Sequence, residues 1–384
     1  MKKSPFGKQK SKNTWLVAGD LNTKVFHGWA KTRKMKNLIP TLVDAGGVQQ
    51  TEDEAKGEIA VQYFTNLFRS SSPSDAGELL HGLEDRVTEE MNKRLTKEVT
   101  DADIKRAVKA IKSDSAPGAD GMAAHFFQKH WSVTGPMITK EVHRFFREGV
   151  LPSEWNYTQL FLLPKKPNPT LMSDLRPISL CSVTYKIISK VLCSRLKGIL
   201  PQIVSPTQGA FFAGRLISDN LFIAREMVHG LNTNPNCKEE YIAMITDMSK
   251  AYDRVEWSFL EALFVKLGFD SKWIGWIMLC IRSVSYTVLL NGQEFGHIVP
   301  ERGLRQGDPL SPFLFILCAE ALVHVMNRAE ENGEISGMKL TRHCPAVQHL
   351  LFADDSLFLI RSELNECTAF LRCLKLYGQA SGRR

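Results

Sequence analysis

The chain of 384 residues is longer than one ordinary domain and can bury a large apolar core. Apolar residues make up 43% of it and charged residues 23%, which is the balance of a folded globular protein. No stretch approaches the length of a transmembrane helix, and the N-terminus lacks the apolar core of a signal peptide. We therefore predict no membrane partner.

The net charge of +8 is unevenly placed along the chain. Residues 1–36 hold ten Lys and Arg against the single acid Asp20, and the remaining 348 residues sum to about −1. A basic arm ahead of a nearly neutral body suggests a polyanion partner, most simply nucleic acid. A disordered solubilising tail would have the same composition, so both interpretations stay open.

The cysteines form no CxxC pair, and several of them lie inside apolar runs. They are interpreted as free thiols in a reducing compartment, and a structural zinc site is not predicted. The eight residues are Cys181, Cys193, Cys237, Cys280, Cys318, Cys344, Cys367 and Cys373.

The first 150 residues are predicted to form the basic arm followed by mostly helical, polar segments. Residues 70–74 have the composition of a loop or linker. A helix is predicted from residue 100 to about residue 112, and the Pro-Gly-Ala-Asp-Gly run at 117–121 predicts a turn. A further helical stretch covers residues 122–131.

Beyond residue 155, strands are predicted among the helices. Residues 158–163 form a buried strand that ends at Pro164, and residues 176–180 form a short extended segment. Apolar residues then recur at helical spacing over residues 187–200, and Pro201 stops this amphipathic helix.

A second strand and helix follow in the same pattern. The nearly continuous apolar run at 241–246 predicts a buried strand that ends at Asp247. Apolar residues at helical spacing over 252–267 predict a helix that begins at once and ends at Gly268. The strand therefore delivers a carboxylate at its C-terminal end.

The C-terminal third is predicted as a hairpin, a long helix and a final helix. Residues 286–299 form the hairpin around Asn291 and Gly292. Ser311 caps a helix that reaches about residue 329, with Pro312 in its first position. The last helix starts near Leu364 and leads to residue 378. Strands mixed with helices of this length favour an α+β fold with a mainly antiparallel sheet.

Two adjacent aspartates, Asp354 and Asp355, lie inside the apolar stretch 350–360. Apolar runs on both sides predict two buried strands joined by a tight turn, where paired carboxylates repel and lose water. Bound divalent cations remove that penalty, and Mg²⁺ prefers carboxylate oxygens. A solvent-exposed Asp-Asp turn is the simpler alternative for this motif alone.

Asp247 decides between these interpretations, because it is a third carboxylate at the end of an apolar strand. If the two strands are neighbours, the three carboxylates converge. Three carboxylates suit two Mg²⁺ ions about 3.5–4 Å apart, the arrangement used for in-line phosphoryl transfer.

Three segments, residues 245–253, 303–312 and 352–355, resemble the successive palm motifs of a reverse transcriptase. The version is similar to that of LINE-type, non-LTR retrotransposons, especially plant ones. Four upstream segments resemble the fingers of the same group, and these are residues 116–121, 163–166, 174–180 and 208–215. Residues 19–27 resemble the connector that precedes the polymerase, so the resemblance covers nearly the whole chain.

The resemblance implies an α+β fold of right-hand polymerase fingers and palm, with a mainly antiparallel palm sheet, preceded by a helical extension. It divides the chain into a basic arm and connector (1–40), a helical N-terminal extension (41–98), and fingers and palm (99–384). The implied activity is nucleotidyl transfer from dNTPs to a primer 3′-hydroxyl on an RNA template. Two Mg²⁺ ions, or Mn²⁺ in their place, would serve it. The family implies nucleus and cytoplasm, and no specific protein partner can be inferred.

The same resemblance assigns metal binding and catalysis to Asp247, Asp354 and Asp355. Tyr252 takes the position of an aromatic ring under the incoming sugar, where it would collide with a 2′-hydroxyl and select dNTPs. A core tyrosine on the apolar stripe of the predicted helix is the alternative, and the two roles are partly compatible.

Nucleotide binding is assigned to four further residues. Arg176 matches the fingers cation that grips triphosphate oxygens, a task that suits the fork of an Arg. Lys165, with its neighbour Lys166, would assist there, contact template phosphates, or be a solvated loop lysine. Gln306 and Gly307 match the segment that lines the nucleotide pocket, where a glycine allows a nucleotide to approach the backbone closely.

Three charged residues of these motifs are given no catalytic role. Asp253 lies on the predicted helix after Asp247 and is interpreted as the partner in a structural salt bridge. Arg305 is interpreted as a surface charge, with contact to nucleic acid as the alternative. Asp308 is taken as a lineage feature without a role.

Several alternatives follow from what the resemblance lacks. Nothing in the N-terminal part resembles the endonuclease that these elements carry, and a thumb is expected to be missing because the chain stops just after residue 382. A catalytically silent remnant that only binds RNA is one alternative, and a group II intron maturase-like reverse transcriptase is another. A viral RNA-dependent RNA polymerase shares the carboxylates, but Tyr252 favours deoxynucleotides.

Overall fold

The computed structural model describes residues 24–73, 76–212, 214–234, 237, 240–341 and 343–382. Most of the basic arm, including connector residues 19–23, lies outside these residues. The helices are α1 (Lys24–Lys36), α2 (Asp53–Phe68), α3 (Glu89–Thr96), α4 (Asp101–Ala110), α5 (Ala124–Lys129), α6 (Trp131–Glu148), α7 (Ser153–Asn156), α8 (Val183–Lys197), α9 (Leu200–Ile203), α10 (Ile217–Thr233), α11 (Trp257–Lys266), α12 (Ser271–Arg282), α13 (Ser311–Glu331) and α14 (Leu364–Ser381). The strands are β1 (Leu42–Val43), β2 (Gln49–Gln50), β3 (Tyr157–Pro164), β4 (Leu175–Cys181), β5 (Tyr241–Asp247), β6 (Ser285–Leu290), β7 (Gln293–Ile298), β8 (His349–Phe352) and β9 (Asp355–Arg361).

A four-stranded mixed sheet has the order β4-β3-β6-β7. Strands β3 and β4 are antiparallel, β3 and β6 are parallel, and β6 and β7 form the predicted hairpin around Asn291 and Gly292. Helix α2 lies directly on β7, because a Cβ added to Gly57 would be 2.3 Å from the ring of Phe295. Helix α2 therefore covers one face of this sheet.

A three-stranded antiparallel sheet has the order β5-β9-β8. The register pairs Tyr241 with Arg361 at one end and Asp247 with Asp355 at the other. The α+β prediction is confirmed: the described residues include a four-stranded mixed sheet and a three-stranded antiparallel sheet. This register decides which side chains meet at the end of β5.

Helix α13 crosses the main apolar core and is almost entirely buried. Its 21 residues are long and apolar enough to cross a membrane, so the prediction that no stretch approaches this length was wrong. The most apolar window of this helix is 78% buried inside the protein, as expected of a core helix. Its first residue is Ser311, so the predicted serine cap is wrong by one position and Leu310 precedes the helix.

The predicted helix after β5 starts later than its periodicity indicates. Residues 249–254 form turns, and α11 begins only at Trp257. Lys250 has a φ of +54°, and the Tyr252 carbonyl accepts a hydrogen bond from the Leu304 amide at 2.8 Å. Because this carbonyl bonds to a distant segment, it does not close a helical turn, and Tyr252 lies in a turn.

Two segments of the N-terminal third are attached to the core by hydrogen bonds. The amides of Arg86 and Val87 both donate to the carbonyl of Leu267, at 3.1 and 2.9 Å. The Ser70 hydroxyl donates to the buried carboxylate of Glu256 at 2.8 Å. The described part of the predicted linker at 70–74 is therefore held against the start of helix α11.

Candidate active site

An open cleft of about 490 Å³ lies between the two sheets. Strand β4 and the loop before it supply one wall, and the end of β5 with the β8–β9 turn supplies the other. Seven of the eight predicted site residues line it, and these are Lys165, Arg176, Asp247, Tyr252, Gln306, Gly307 and Asp354. Asp355 is not part of the lining, but it is the strand neighbour of Asp247.

The three aspartates meet at one end of the three-stranded sheet. Asp247 and Asp355 are directly opposite on β5 and β9, so their side chains leave the same face of the sheet. Asp354 lies in the two-residue turn between β8 and β9, after Ala353 with a φ of +53°. All three are exposed to solvent. Fold and turn together thus bring the predicted carboxylates to the mouth of the cleft.

Among the described residues, no three His, Cys, Asp or Glu side chains are grouped closely enough to hold a metal ion. The aspartates therefore lie at the same end of the sheet, but their side chains are not arranged as a preformed metal site. Their chemistry still fits divalent cations, since hard carboxylate oxygens are the ligands of Mg²⁺. Repulsion between Asp247 and Asp355 across the strand pair is the cost that a cation would remove.

The opposite wall is cationic. Arg176 is exposed on β4, and Lys165 donates a hydrogen bond to the Ser173 carbonyl at 3.0 Å. The pKa of Lys165 lies below its usual value, because of partial burial first and then because of the positive charges of Lys250 and Arg176. Lys250 lines the cleft from the turn after β5, on the side of the aspartates, and sequence reasoning missed it. Three cations that repel one another form a ready site for an anion.

Tyr252 packs against the core and also lines the cleft. Its ring is half-buried and stacks on Phe315 of α13, with centroids 4.7 Å apart and planes at 8°. It also lines the cleft beside Ala251 and Asp247. Packing against the core helix therefore fixes the orientation of a ring that still faces the cleft.

Gly307 is required here by the protein's own backbone. Its φ is +120°, and an added Cβ would lie 2.9 Å from the Ser179 carbonyl oxygen. The neighbouring Gln306 carbonyl accepts a hydrogen bond from the Ser179 amide at 2.8 Å. The loop of Gln306 and Gly307 is thus held against β4 at one wall of the cleft.

Comparison with known families identifies the family of the chain that forms this cleft. Residues 163–383 match the model of the family described as reverse transcriptase (RNA-dependent DNA polymerase). The match includes both sheet strands that carry aspartates and all eight predicted site residues. The chain belongs to the reverse transcriptase family. This membership implies the polymerase palm and fingers.

Individual relatives come from transposable elements. The chain is similar to the transposon TX1 uncharacterized 149 kDa protein of Xenopus laevis, with 28% identity over 98% of this chain and 28% of that protein. It is 30% identical to a Pol polyprotein from the type-1 retrotransposable element R2 of Nasonia vitripennis, over 70% of this chain and 24% of that protein. An uncharacterized mitochondrial protein of Arabidopsis thaliana is 52% identical over 68 residues, which are 18% of this chain and 56% of that protein. The chain thus spans about a quarter of the length of its two transposon relatives.

Gln208 and Asn220 brace the turn that carries Asp354. The Gln208 side-chain oxygen accepts hydrogen bonds from the amides of Ala210 and Ala353, at 3.0 and 3.2 Å. Asn220 donates to the carbonyls of Thr207 and Leu351, at 3.0 and 3.1 Å. The motif at 208–215 resembled the fingers, yet here it contacts the palm turn. A buried glutamine gave no separate signal in the sequence.

The loop at 305–308 also corrects two sequence interpretations. Arg305 is 3% exposed and Asp308 is 4% exposed, so the expected surface charge is wrong. They form a buried ion pair at 3.4 Å. Asp308 accepts hydrogen bonds from Tyr185, at 2.7 Å, and from Ser189, so it has a structural role.

Arg305 is held from three further directions. Its guanidinium lies over the Tyr185 ring, 3.8 Å from the centroid. It donates to the Asn156 side chain and, at 3.0 Å, to the Cys280 carbonyl. This network anchors the start of the loop that carries Gln306 and Gly307.

Asp253 departs from its predicted role as well. It lies in a turn, is 3% exposed, and forms no ion pair among the described residues. Gln306 donates to one of its oxygens at 3.3 Å, and the other oxygen lacks a described hydrogen-bond partner. Burial raises the pKa of Asp253 to about 6. The carboxylate therefore orients the Gln306 amide at the edge of the cleft.

Proposed function

We propose that the chain is the RNA-directed DNA polymerase of a non-LTR retrotransposon, transferring nucleotides from dNTPs to a primer 3′-hydroxyl. The observation that carries this proposal is the strand register that opposes Asp247 and Asp355 beside the Asp354 turn. The cationic wall across the cleft, with Arg176 and Lys165, supports it. The transposon relatives support the non-LTR assignment.

Asp247, Asp354 and Asp355 would hold two Mg²⁺ ions, or Mn²⁺, which neutralise phosphate charge during in-line phosphoryl transfer. The side chains of the protein would bind the triphosphate and position the nucleotide. Arg176, Lys165 and Lys250 would bind the triphosphate oxygens, because their mutual repulsion falls when an anion enters. Gln306 would position the nucleotide, oriented by its hydrogen bond to Asp253.

Partners and domain organisation follow from the same proposal. The partners are an RNA template, a DNA primer and dNTPs. The division into arm and connector (1–40), helical extension (41–98) and polymerase (99–384) is part of it. A plant source is supported by the identity of 52% to the Arabidopsis protein over 68 residues.

Primer extension tests the proposed activity. The chain is incubated with poly(rA)–oligo(dT), labelled dTTP and Mg²⁺, and the products are separated by length. Labelled products longer than the primer are expected, and their formation should stop when the divalent cation is chelated. If the chain binds the primer–template but extends it at no cation concentration, the proposed activity is wrong for this chain.

Tyr252→Ala is expected to raise rNTP incorporation relative to dNTP incorporation. The shorter side chain leaves room for a 2′-hydroxyl beside Ala251, while it also removes the stacking on Phe315. Such a stacked pair is worth about 0.5–1.5 kcal/mol, so some loss of stability is expected in addition.

The ratio of rNTP to dNTP incorporation separates these two effects. Tyr252→Phe keeps the ring and the stacking, so it serves as the control and should retain the parent ratio. Equal loss of both rates in Tyr252→Ala, with an unchanged ratio, would leave Tyr252 as a packing residue only.

A further inference from the structure

A second depression, of about 540 Å³, lies between helices α4 and α8 and outside the active-site cleft. Its lining is strongly basic. Arg106 and Lys109 project from α4, and Lys190, Arg195 and Lys197 project from α8. We call this surface the α4–α8 groove.

The acids near the groove are already paired. Among the described residues, Asp103 is the one acid that lines the groove, and it forms an ion pair with Arg106. Glu98, whose carbonyl accepts a hydrogen bond from Arg195 at 3.2 Å, pairs through its side chain with Arg147 at 2.9 Å. The Arg195 guanidinium donates to the Leu95 carbonyl at 2.8 Å, so this side chain is fixed in place. Three lysines remain without an acid in the lining.

Two of these lysines form a row along α8. Lys190 and Lys197 are seven residues apart, with Ser194 between them, so they share one face of the helix. Seven residues correspond to about 10.5 Å along the axis. Lys109 faces them from α4 across a floor that includes Ala107 and Val191. The groove is thus a short cationic track with an apolar floor.

The track leads toward the active site. The Lys197 ammonium lies 5.2 Å from the ring centroid of Phe313, the third residue of α13. Phe313 in turn contacts Phe211, with centroids 6.5 Å apart. Phe211 is 47% exposed and lines the cleft. Phe313 itself is buried, so Lys197 at one end of the groove is connected through this side chain to the exposed Phe211 at the cleft mouth.

We propose that the α4–α8 groove binds the sugar–phosphate backbone of the unpaired template strand ahead of the cleft. This inference rests on the proposed polymerase function. A single strand fits the observations, because its phosphates match the lysine row and its bases can stack on an aromatic side chain such as Phe211. An acidic protein would match the charge, but it would have no need of the exposed Phe211 ring at the cleft mouth.

The test neutralises the track while leaving the cleft unchanged. The variant Lys109→Gln, Lys190→Gln, Lys197→Gln removes three charges. The matched control Lys140→Gln, Lys266→Gln, Lys375→Gln removes three charges from exposed lysines outside the groove. Fluorescence anisotropy measures binding of primer–templates that carry either a one-nucleotide or an about 12-nucleotide 5′ template overhang, a length within known single-strand site sizes.

The parent and the control should bind the long overhang more tightly than the short one, and the groove variant should lose this difference. The slope of log K against log salt for the long overhang should fall by about 2 in the groove variant, since each single-strand phosphate contact contributes about 0.7. Equal binding of the long overhang by the groove variant and the control would overturn the proposal. An equal deficit on both overhangs would also overturn it, because the lysines would then contact the duplex.

An additional arm keeps this inference separate from the polymerase proposal. Anisotropy reports binding whether or not the chain extends a primer, so failure of extension alone leaves the groove result readable. Labelled poly-glutamate is titrated into the parent and the groove variant in parallel. If the parent binds poly-glutamate more tightly than the long-overhang template, and the groove variant loses only the poly-glutamate binding, the groove belongs to an acidic protein and the template proposal is overturned.

Discussion

Primer extension should fall by about 10³-fold in Asp354→Asn and in Asp355→Asn, which corresponds to roughly 4 kcal/mol of transition-state stabilisation. Asparagine keeps the shape of the side chain but removes the charge that would hold a cation. The fold should survive, because Asp247 and Asp355 face each other across the strand pair and their repulsion falls when one is neutralised. The free energy of unfolding should therefore be unchanged or slightly higher.

Rates at saturating Mg²⁺ and urea unfolding curves measure both expectations. Asp114→Asn is the control, since Asp114 is exposed and lies outside the cleft lining. Parent-like extension by both cleft variants would show that the two-metal proposal is wrong. A cooperative loss of structure in either variant would instead give the carboxylate a structural role.

The site's carboxylates were predictable because their signals are local. An apolar run that ends at Asp247 and an apolar hairpin interrupted by Asp354 and Asp355 can each be recognised within ten or so residues. The register that opposes Asp247 and Asp355 was not predictable, because a one-residue slip leaves the sequence pattern of each strand unaltered. The sequence identified the three aspartates, and the pairing of distant strands brings them together.

Long-range hydrogen bonds explain where the prediction of local structure failed. The apolar spacing that starts at Tyr252 has a helical period, yet its carbonyl bonds to Leu304 and the helix begins at Trp257. Lys250 has a left-handed backbone that no glycine marks in the sequence. These two deviations turn Lys250 and Tyr252 toward the cleft.

Burial of Arg305 was unpredictable for a related reason. An arginine in a loop is exposed in most proteins, and burial requires partners that satisfy its donors. Here the partners come from three helices that are distant in sequence: Tyr185 in α8, Asn156 in α7 and Cys280 in α12. None of these positions gives any sign of Arg305 when the sequence is considered alone.

Arg305→Ala is expected to lower the free energy of unfolding by about 3–5 kcal/mol, because it leaves the buried Asp308 carboxylate without its cation. The Asn156 side-chain oxygen and the Cys280 carbonyl also lose their donor. Arg305→Lys keeps the charge but not the fork that reaches both acceptors, so its loss should be smaller. Urea unfolding of the purified variants measures the differences.

Arg282→Ala provides the matched control, since Arg282 pairs with Glu261 at the surface and such pairs are worth about 0–1 kcal/mol. The double variant Arg305→Met, Asp308→Leu removes both charges, so it should be more stable than Arg305→Ala. An Arg305→Ala loss no larger than that of Arg282→Ala would contradict the buried network. Where the folded Arg305→Lys variant can be assayed, the KM for dNTP should rise more than kcat falls, because the displaced loop carries Gln306 and Gly307, which the proposed function assigns to nucleotide binding.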